Sequence, residues 1–343
     1  RLPSNLAPTH YNIELRPDIY NGEPPFPFDG SVEIFFTCRE DTNQIVINSV
    51  GLVIEDGSME FEPGEGTPSA PEITSYELDP DRDFLFIDLD GDLEVGQNFV
   101  LRMRFAGTLN TASLGAGAFW DSYHQDGETH YVVLSQMQAN DARRAFPCFD
   151  EPAMKATFDL TMVRSADMTA LGNGPLVNTE ERSVDEFWVA DTFDTTPYMS
   201  PYLVAFAVID YPHVETVSEN GHLIRVWARA ELMPAAEYAL SVAGPIMDWL
   251  EDYTGQEFPM AKIDHVASPG FSGAMENWGL VHYMESYLLY DEAWSPTYRK
   301  IYVASVIAHE VAHQWFGNLV TCEWWDETWL NEGFASAMDY MAL

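Results

Sequence analysis

The segment HEVAH places two histidines and a carboxylate at a spacing that suits metal chemistry. His309 and His313 are four residues apart, so on a helix with about 3.6 residues per turn they project from nearly the same face. Two imidazoles placed in this way can bind one Zn²⁺ ion. Glu310 points somewhat off the metal axis, where a base for a zinc-bound water belongs. The segment therefore predicts the metal-binding helix of a zinc hydrolase.

Glu332 is the candidate for the third protein ligand that a catalytic zinc site requires. It lies nineteen residues after His313, on a separate predicted helix that could pack against the first. Cys322 lies between these ligands, but no second cysteine is near it, and we interpret it as a small buried residue. A chance match to this motif is disfavoured, because it would have to coincide with a well-marked helix and a suitably placed glutamate. We expect His309, His313 and Glu332 to bind one zinc ion.

Three predicted helices position these side chains. Residues 234–255 have the spacing of an amphipathic helix that ends at a glycine. Ser295 in the N-cap position and Pro296 in the first turn predict a second helix, which carries the histidines and continues to Gly317. A third helix begins within residues 326–328 and carries the glutamate.

The first part of the chain, residues 1–209, has the pattern of a β protein. Its short runs are rich in β-branched and aromatic residues, partly alternate in polarity, and are separated by Gly, Pro, Asp and Asn. Many short strands of this kind predict a sandwich or saddle of antiparallel sheet. The predicted strands are residues 11–15, 31–38, 44–50, 84–90, 99–107, 156–163 and 186–193. One more strand is predicted at residues 223–229, just before the first helix.

The composition limits the classes of partner. The chain has 343 residues, enough for two or more domains, and its formal net charge is −39. A surface this acidic repels phosphate backbones, so we expect no nucleic-acid partner. The charge is explained either by solubility or by attraction of cationic substrates. No apolar window is long enough to span a bilayer.

Three motifs together resemble the M1 family of zinc aminopeptidases, which are gluzincins. The first is HEVAH followed, after eighteen residues, by Glu332 within NEGFA. The second is GAMEN at residues 273–277, which looks like the exopeptidase motif of that family. The third is the segment at residues 136–158, which is similar to the aminopeptidase N-like branch. The motifs span most of the chain in the order that the family has.

The resemblance implies a fold and a role for each matching residue. It implies a mainly β N-terminal saddle or sandwich domain at 1–209, followed by the first part of an α+β thermolysin-like catalytic domain at 210–343. It implies that Glu310 takes a proton from the zinc-bound water and passes it to the leaving amine. Glu276 is expected to bind the free α-amino group of the substrate. The other residues expected to contact the substrate are Gln136, Gln138, Gly273, Ala274, Met275 and Asn277.

The same resemblance implies limits and alternatives. The family uses a tyrosine well beyond the glutamate ligand to stabilise the oxyanion, and no matching tyrosine follows Glu332 here. We therefore expect a fragment, incomplete at its C-terminus, that is weak or inactive by itself. The alternative is a non-catalytic peptide-binding or receptor fragment. The epoxide hydrolase branch has Gly where this sequence has Ala274, so it is disfavoured.

The expected partners follow from the predicted reaction. An aminopeptidase acts on peptides with a free N-terminus, and the resemblance implies that one zinc ion is its cofactor. Family members are often anchored in the membrane, so the expected location of the full-length protein is the extracellular face of the plasma membrane. The sequence does not indicate an oligomeric state.

Overall fold

The computed structural model describes residues 1–20, 22–182 and 187–343, and strands are the main regular secondary structure of its first two thirds. The prediction of a mainly β N-terminal part is confirmed. In the described part of residues 1–209 the strands are β1 (Leu6–Pro17), β2 (Pro27–Cys38), β3 (Thr42–Asn48), β4 (Val53–Ile54), β5 (Glu60–Pro63), β6 (Ile73–Asp79), β7 (Phe84–Leu93), β8 (Asn98–Thr108), β9 (Asn110–Thr111), β10 (Gly117–Gln125), β11 (Glu128–Gln136), β12 (Thr157–Ser165), β13 (Thr169–Gly172), β14 (Leu176–Glu181), β15 (Trp188–Phe193) and β16 (Phe206–Ile209).

These strands form three sheets among the described residues. The largest has the order β14-β15-β12-β1-β2-β8-β4, with β5 also paired to β8. A second has the order β13-β16-β11-β10-β9, and a third, smaller one has the order β3-β7-β6. Side chains on β2 alternate between buried and half-buried positions, as expected for a strand with one face on the core. All seven predicted strands are present, and residue 186, at the start of the last, lies outside the described residues.

The remainder of the chain combines a mixed sheet with helices. Its strands have the order β17-β18-β19-β21-β20, and β18, β19 and β21 run parallel. The parallel pair β18 and β19 is joined through a helix, as a parallel connection requires. The elements are β17 (His213–Val217), β18 (Leu223–Trp227), α1 (Ala236–Thr254), β19 (Lys262–Ser268), β20 (Ala274–Met275), β21 (Leu280–Met284), α2 (Glu285–Leu288), α3 (Thr297–Ala312) and α4 (Trp329–Ala342). None of the helices formed by described residues is long and apolar enough to cross a lipid bilayer.

The helix ends differ from the prediction in two places. Pro296, not Ser295, occupies the N-cap position of α3, and the Ser295 hydroxyl accepts a hydrogen bond from the Asp291 N–H of the preceding turn. The helix also ends earlier than predicted, at Ala312, because the chain turns at once towards Gly317, whose φ is +125°. The end of α1 agrees with the prediction, since Gly255 follows it in the left-handed conformation.

A buried lysine joins the N-terminal sheets to the mixed sheet. Lys262 on β19 donates hydrogen bonds to the carbonyl oxygens of Gly172 and Gly279, at 2.6 and 2.8 Å, and lies 2.8 Å from Asp264. Burial would raise the pKa of Asp264, but the ammonium of Lys262 and the guanidinium of Arg225 lower it to about 2. The fully buried ion pair thus holds two backbone segments from different sheets.

We expect Lys262→Met to lower the free energy of unfolding by about 3 kcal/mol, because it leaves two buried carbonyls without donors. Asp264 keeps its pairing with Arg225, which limits the loss. Chemical denaturation monitored by fluorescence measures the change. The control is Lys300→Met, which removes a cation–π contact with Tyr238 and should cost at most about 1 kcal/mol. Equal losses in the two variants would contradict the role given to Lys262.

Two buried histidines of the mixed sheet make folding sensitive to acid. His265 lies 2.9 Å from the hydroxyl oxygen of Tyr283, and His282 donates from Nδ1 to the carbonyl oxygen of Ser135 at 3.1 Å. Burial lowers the pKa of both imidazoles to about 4. In the unfolded chain each imidazole takes up a proton below about pH 6.5. In the folded protein each imidazole stays neutral until the pH falls to about 4.

The free energy of unfolding should therefore fall as the pH decreases from 6.5 to 4. The slope of this fall should correspond to about one additional proton bound on unfolding for each buried histidine. We expect His265→Leu to flatten this slope by about one proton, although the variant is less stable at neutral pH. Unfolding free energies measured at several pH values test this. The exposed His124, changed to Leu, should leave the slope as it is. An unchanged slope in His265→Leu would show that this imidazole is not held neutral.

Candidate metal centre and active site

The end of α3 brings the two histidines together. His313 lies one residue beyond the helix but keeps helical dihedral angles and donates its backbone N–H to the carbonyl of His309. The two Nε2 atoms are therefore 3.0 Å apart. This geometry confirms that the two imidazoles share one face, one turn apart.

Glu332 on α4 completes a group of three possible metal ligands. Its Oε2 lies 3.3 Å from Nε2 of His309 and 3.4 Å from Nε2 of His313. Tetrahedral zinc with bonds of about 2.05 Å places its ligand atoms about 3.3 Å apart. The observed separations of 3.0–3.4 Å match this value, and two imidazole nitrogens with one carboxylate oxygen are a donor set that zinc prefers. Among the described residues, this is the cluster whose ligand atoms could hold a metal ion.

A hydrogen bond orients one imidazole, and a carboxylate lies near the other. Nδ1 of His313 donates to the carbonyl oxygen of Phe316 at 2.8 Å, which leaves the lone pair of Nε2 directed at the cluster. Nδ1 of His309 lies 3.6 Å from Oδ2 of Asp339. The sequence analysis missed Asp339, although it lies seven residues after Glu332 and so on the same face of a helix, two turns later. That spacing is the signal that could have identified it.

Three carboxylates surround the imidazole pair. Burial lowers the pKa of His313, but Glu276, Glu332 and Glu310 together raise it to about 10. Hydrogen bonds to His309 and His313 hold the pKa of Glu332 well below its usual range. The negative charge collected here favours a cation between these side chains, whether a proton or a metal ion.

Glu310 is the carboxylate best suited to proton transfer. It is buried, and desolvation together with the nearby carboxylates raises its pKa to about 8, while His313 opposes the rise. Its Oε2 atom is buried without a hydrogen-bond partner. A carboxyl group whose pKa lies near neutrality can both accept and release a proton during a reaction.

An open cavity of about 270 Å³ lies beside this cluster. It is lined by Ala274, Tyr287, Ser305, Val306, His309, Glu310 and Asp339. Of the residues in the GAMEN motif, the cavity reaches Ala274, on the edge strand β20. The motif residue Met275 instead has a buried side chain, so its predicted place in the cleft applies only to its backbone.

The remaining motif residues lie close to this cavity wall. Glu276 is buried, and its Oε1 atom has no hydrogen-bond partner, although its charge raises the pKa of both His313 and Glu310. Asn277 is fully buried with no partner for its side-chain amide. Gly273 precedes β20 with a φ of +80°, a conformation that suits glycine.

The two predicted glutamines lie at the end of β11. Gln136 donates from Nε2 to the sulfur of Met275 at 3.4 Å, so the structure brings it against the GAMEN strand. Its Oε1 atom is buried without a partner. Gln138 lies two residues beyond, half-buried, after the strand has ended. The hydrogen bond to Met275 thus connects Gln136 with the GAMEN strand.

Tyr202 of the N-terminal part holds the loop that leads to Glu332. Its hydroxyl donates to the carbonyl oxygen of Gly317 at 2.9 Å and accepts a bond from Nδ2 of Asn331 at 3.2 Å. Oδ1 of Asn331 in turn accepts the backbone N–H of Cys322. All these contacts are buried, so the hydroxyl ties α4 to the end of the metal-binding helix. Cys322 is buried as interpreted from the sequence, and it is not part of the metal cluster.

We expect Tyr202→Phe to weaken zinc binding by about 10-fold, because Asn331 and the adjacent Glu332 lose one of their supports. Competition with a chromophoric chelator measures the affinity. Tyr198→Phe is the matched control, since Tyr198 is largely exposed and lies three residues before Pro201 in the same connection. A zinc affinity equal to that of the unmodified chain would show that the hydroxyl does not support the ligand.

Comparisons with known proteins assign the chain to a family. The profile of the peptidase M1 N-terminal domain matches residues 7–203, and that of the peptidase family M1 domain matches residues 238–343. Aminopeptidase N of Bos taurus and aminopeptidase N of Homo sapiens are each 43% identical to the chain over 99% of its length. Aminopeptidase Ey of Gallus gallus is 41% identical over 99% of the chain. The chain spans 36% of the length of each of these relatives. Two adjoining domain profiles in the family's order, together with this similarity, show that the chain belongs to peptidase family M1.

Proposed function

We propose that the whole protein is a zinc-dependent aminopeptidase that removes single residues from the N-termini of peptides. The observation that carries the proposal is the meeting of three donor atoms at separations suited to zinc with two buried carboxylates, Glu310 and Glu276. The names of its relatives, aminopeptidases N and Ey, support the same reaction.

In this proposal the metal site and Glu310 cleave the bond. Zinc, when bound by His309, His313 and Glu332, would act as a Lewis acid that polarises the scissile carbonyl and increases the acidity of a bound water molecule. Glu310 accepts the proton of the attacking water and returns it to the leaving amine. Its raised pKa and its unpaired Oε2 support this role.

In this proposal Glu276 binds the free amine of the substrate. A carboxylate buried beside the cavity recognises an ammonium group through a charge-assisted hydrogen bond, and the unpaired Oε1 of Glu276 is available for one. Gln136 and Gln138 are proposed to contact the amine and the first side chain. The backbone at Gly273 and Ala274, with Met275 and Asn277 behind it, would align the peptide as an added strand, because β20 is the edge of its sheet.

The same proposal includes a division into two domains and a low activity for these 343 residues without the rest of the protein. A boundary between residues 209 and 210 is supported by the end of β16 at Ile209 and the start of a different sheet at His213. We propose that these 343 residues alone turn over substrate slowly, because Glu332 is 45% exposed and α4 leaves large apolar side chains in solvent.

Membrane anchorage at the extracellular face of the plasma membrane is proposed for the whole protein, and labelling of intact cells with an impermeant reagent tests it.

The whole protein should hydrolyse leucine p-nitroanilide and leave the N-acetylated substrate untouched. Glu310→Gln should lower kcat by about 10³-fold, because the general base is lost while the metal ligands remain. Glu276→Gln should raise KM by about 10-fold or more, because the amine loses its charged partner. Glu60→Gln on the exposed strand β5 is the control.

The alternative, a peptide-binding fragment without turnover, predicts a different pattern. It would bind peptides that carry a free amine and never release an amino acid. Undiminished hydrolysis by Glu310→Gln would contradict the proposed mechanism, and equal hydrolysis of the acetylated substrate would contradict the assignment of an exopeptidase.

A further inference from the structure

We propose that Gln314 is a positioning residue that fixes the distance between the amine-binding carboxylate of Glu276 and the metal-binding helix. It would thereby restrict cleavage to the first peptide bond. This inference rests on the proposed function, and it concerns a residue to which the sequence analysis gave no role.

Gln314 follows His313 directly, and its side-chain amide makes three buried hydrogen bonds. Nε2 donates to the carbonyl oxygen of Glu276 at 3.0 Å and to that of Glu310 at 3.1 Å. Oε1 accepts the backbone N–H of Gly279 at 3.2 Å. One amide group therefore connects the backbone of the proposed base with two points on the segment that carries the proposed amine-binding carboxylate.

The orientation of this amide is determined by its partners. Two of them are carbonyl oxygens, which only the NH₂ end can satisfy, and the third is an N–H group, which only the oxygen can satisfy. Gln314 is 1% exposed, so water cannot replace any of these bonds. The side chain therefore acts as a strut of fixed length and direction.

Asn318 strengthens the same connection. Its Nδ2 donates to the carbonyl oxygen of Glu276 at 2.9 Å, so this one oxygen accepts bonds from two side chains. Asn318 is fully buried and follows Gly317, in the turn after the metal-binding helix. The backbone of Glu276 is thus held from two points just beyond the end of α3.

The chemistry of an exopeptidase requires such a strut. In a peptide, the terminal nitrogen and the first carbonyl carbon are separated by two bonds, or about 2.5 Å. The group that binds the amine and the group that activates the carbonyl must therefore keep a fixed separation. A displacement of about 1 Å at such a site can reduce the rate by about 10²-fold. Gln314 connects the two backbone segments, at Glu276 and at Glu310, that set this separation.

The test is Gln314→Met in the whole, zinc-loaded protein, because methionine has a similar volume and makes none of the three bonds. We expect one zinc per chain, as in the unmodified protein, with KM for leucine p-nitroanilide raised by about 10-fold. With Glu310→Gln added to block turnover, calorimetry should show a similar loss of affinity for leucinamide and no change for N-acetyl-leucinamide. Asn318→Ala should show the same pattern to a smaller degree, and it provides the decisive measurement if Gln314→Met does not fold.

Asn48→Ala is the matched control. Asn48 is also buried and makes two side-chain hydrogen bonds, to the carbonyl of Asp83 and from the N–H of Asp150, both in the N-terminal part. Its loss should reduce stability and leave the selectivity for free amines unchanged. An effect that merely reflects lower stability would appear equally in this control.

The outcomes separate the inference from the function on which it rests. If the unmodified protein fails to hydrolyse the free-amine substrate or does not distinguish it from the acetylated one, the proposed function fails. If it does both and Gln314→Met keeps the same KM and the same preference for leucinamide, the positioning role is overturned. Loss of zinc from Gln314→Met would also overturn it, because the amide would then support the metal rather than the amine site.

Discussion

The structure depends on one electrostatic constraint, which is the packing of several ionisable groups into a small, largely buried volume. Two imidazole nitrogens and a carboxylate oxygen lie within 3.4 Å of one another, and Glu310 and Glu276 lie close enough to shift the pKa values around them. Such a group is unfavourable unless cations balance the carboxylates. A bound divalent cation would supply that balance through the same donor atoms, which would link metal binding to the stability of the site.

The N-terminal part is hydrogen-bonded to segments that adjoin this site. Tyr202 reaches the loop between the metal-binding helix and α4, and Lys262 ties two sheets through buried carbonyls. Asn173 adds a third connection, since its amide donates to the carbonyls of Leu203 and Trp278. Hydrogen bonds that involve both parts therefore hold Trp278 and Gly279, just after the GAMEN segment, and Gly317 in the turn after α3.

The sequence predicted what depends on local pattern. The regular spacing of His309 and His313 and the hydrophobic runs of strands such as β2 and β8 led directly to the correct elements. It did not predict the exact ends of α3, because Ser295 is held by Asp291 and the chain turns after His313 to satisfy contacts with Phe316 and the GAMEN segment. Strand β6 was missed because its side chains are almost all half-buried or exposed, so it lacks the apolar signal.

The residues that support the site could not be predicted from the sequence for another reason. Tyr202 and Asn331 are 129 positions apart, and Gln314 meets a backbone carbonyl 38 residues earlier. Such contacts depend on tertiary folding, and polar residues that bond to backbone atoms leave no periodic pattern in the sequence. Asp339 is the exception, because its position on the face of Glu332 follows from helical spacing alone.

The most direct test of this account is the zinc content of the purified chain after exchange into metal-free buffer, compared with His313→Ala. The account predicts about one zinc per unmodified chain and almost none in the variant, because two remaining ligands hold the ion far more weakly than three. Equal zinc in both proteins would place the metal elsewhere, and no zinc in either would show that these residues do not form a metal site in solution.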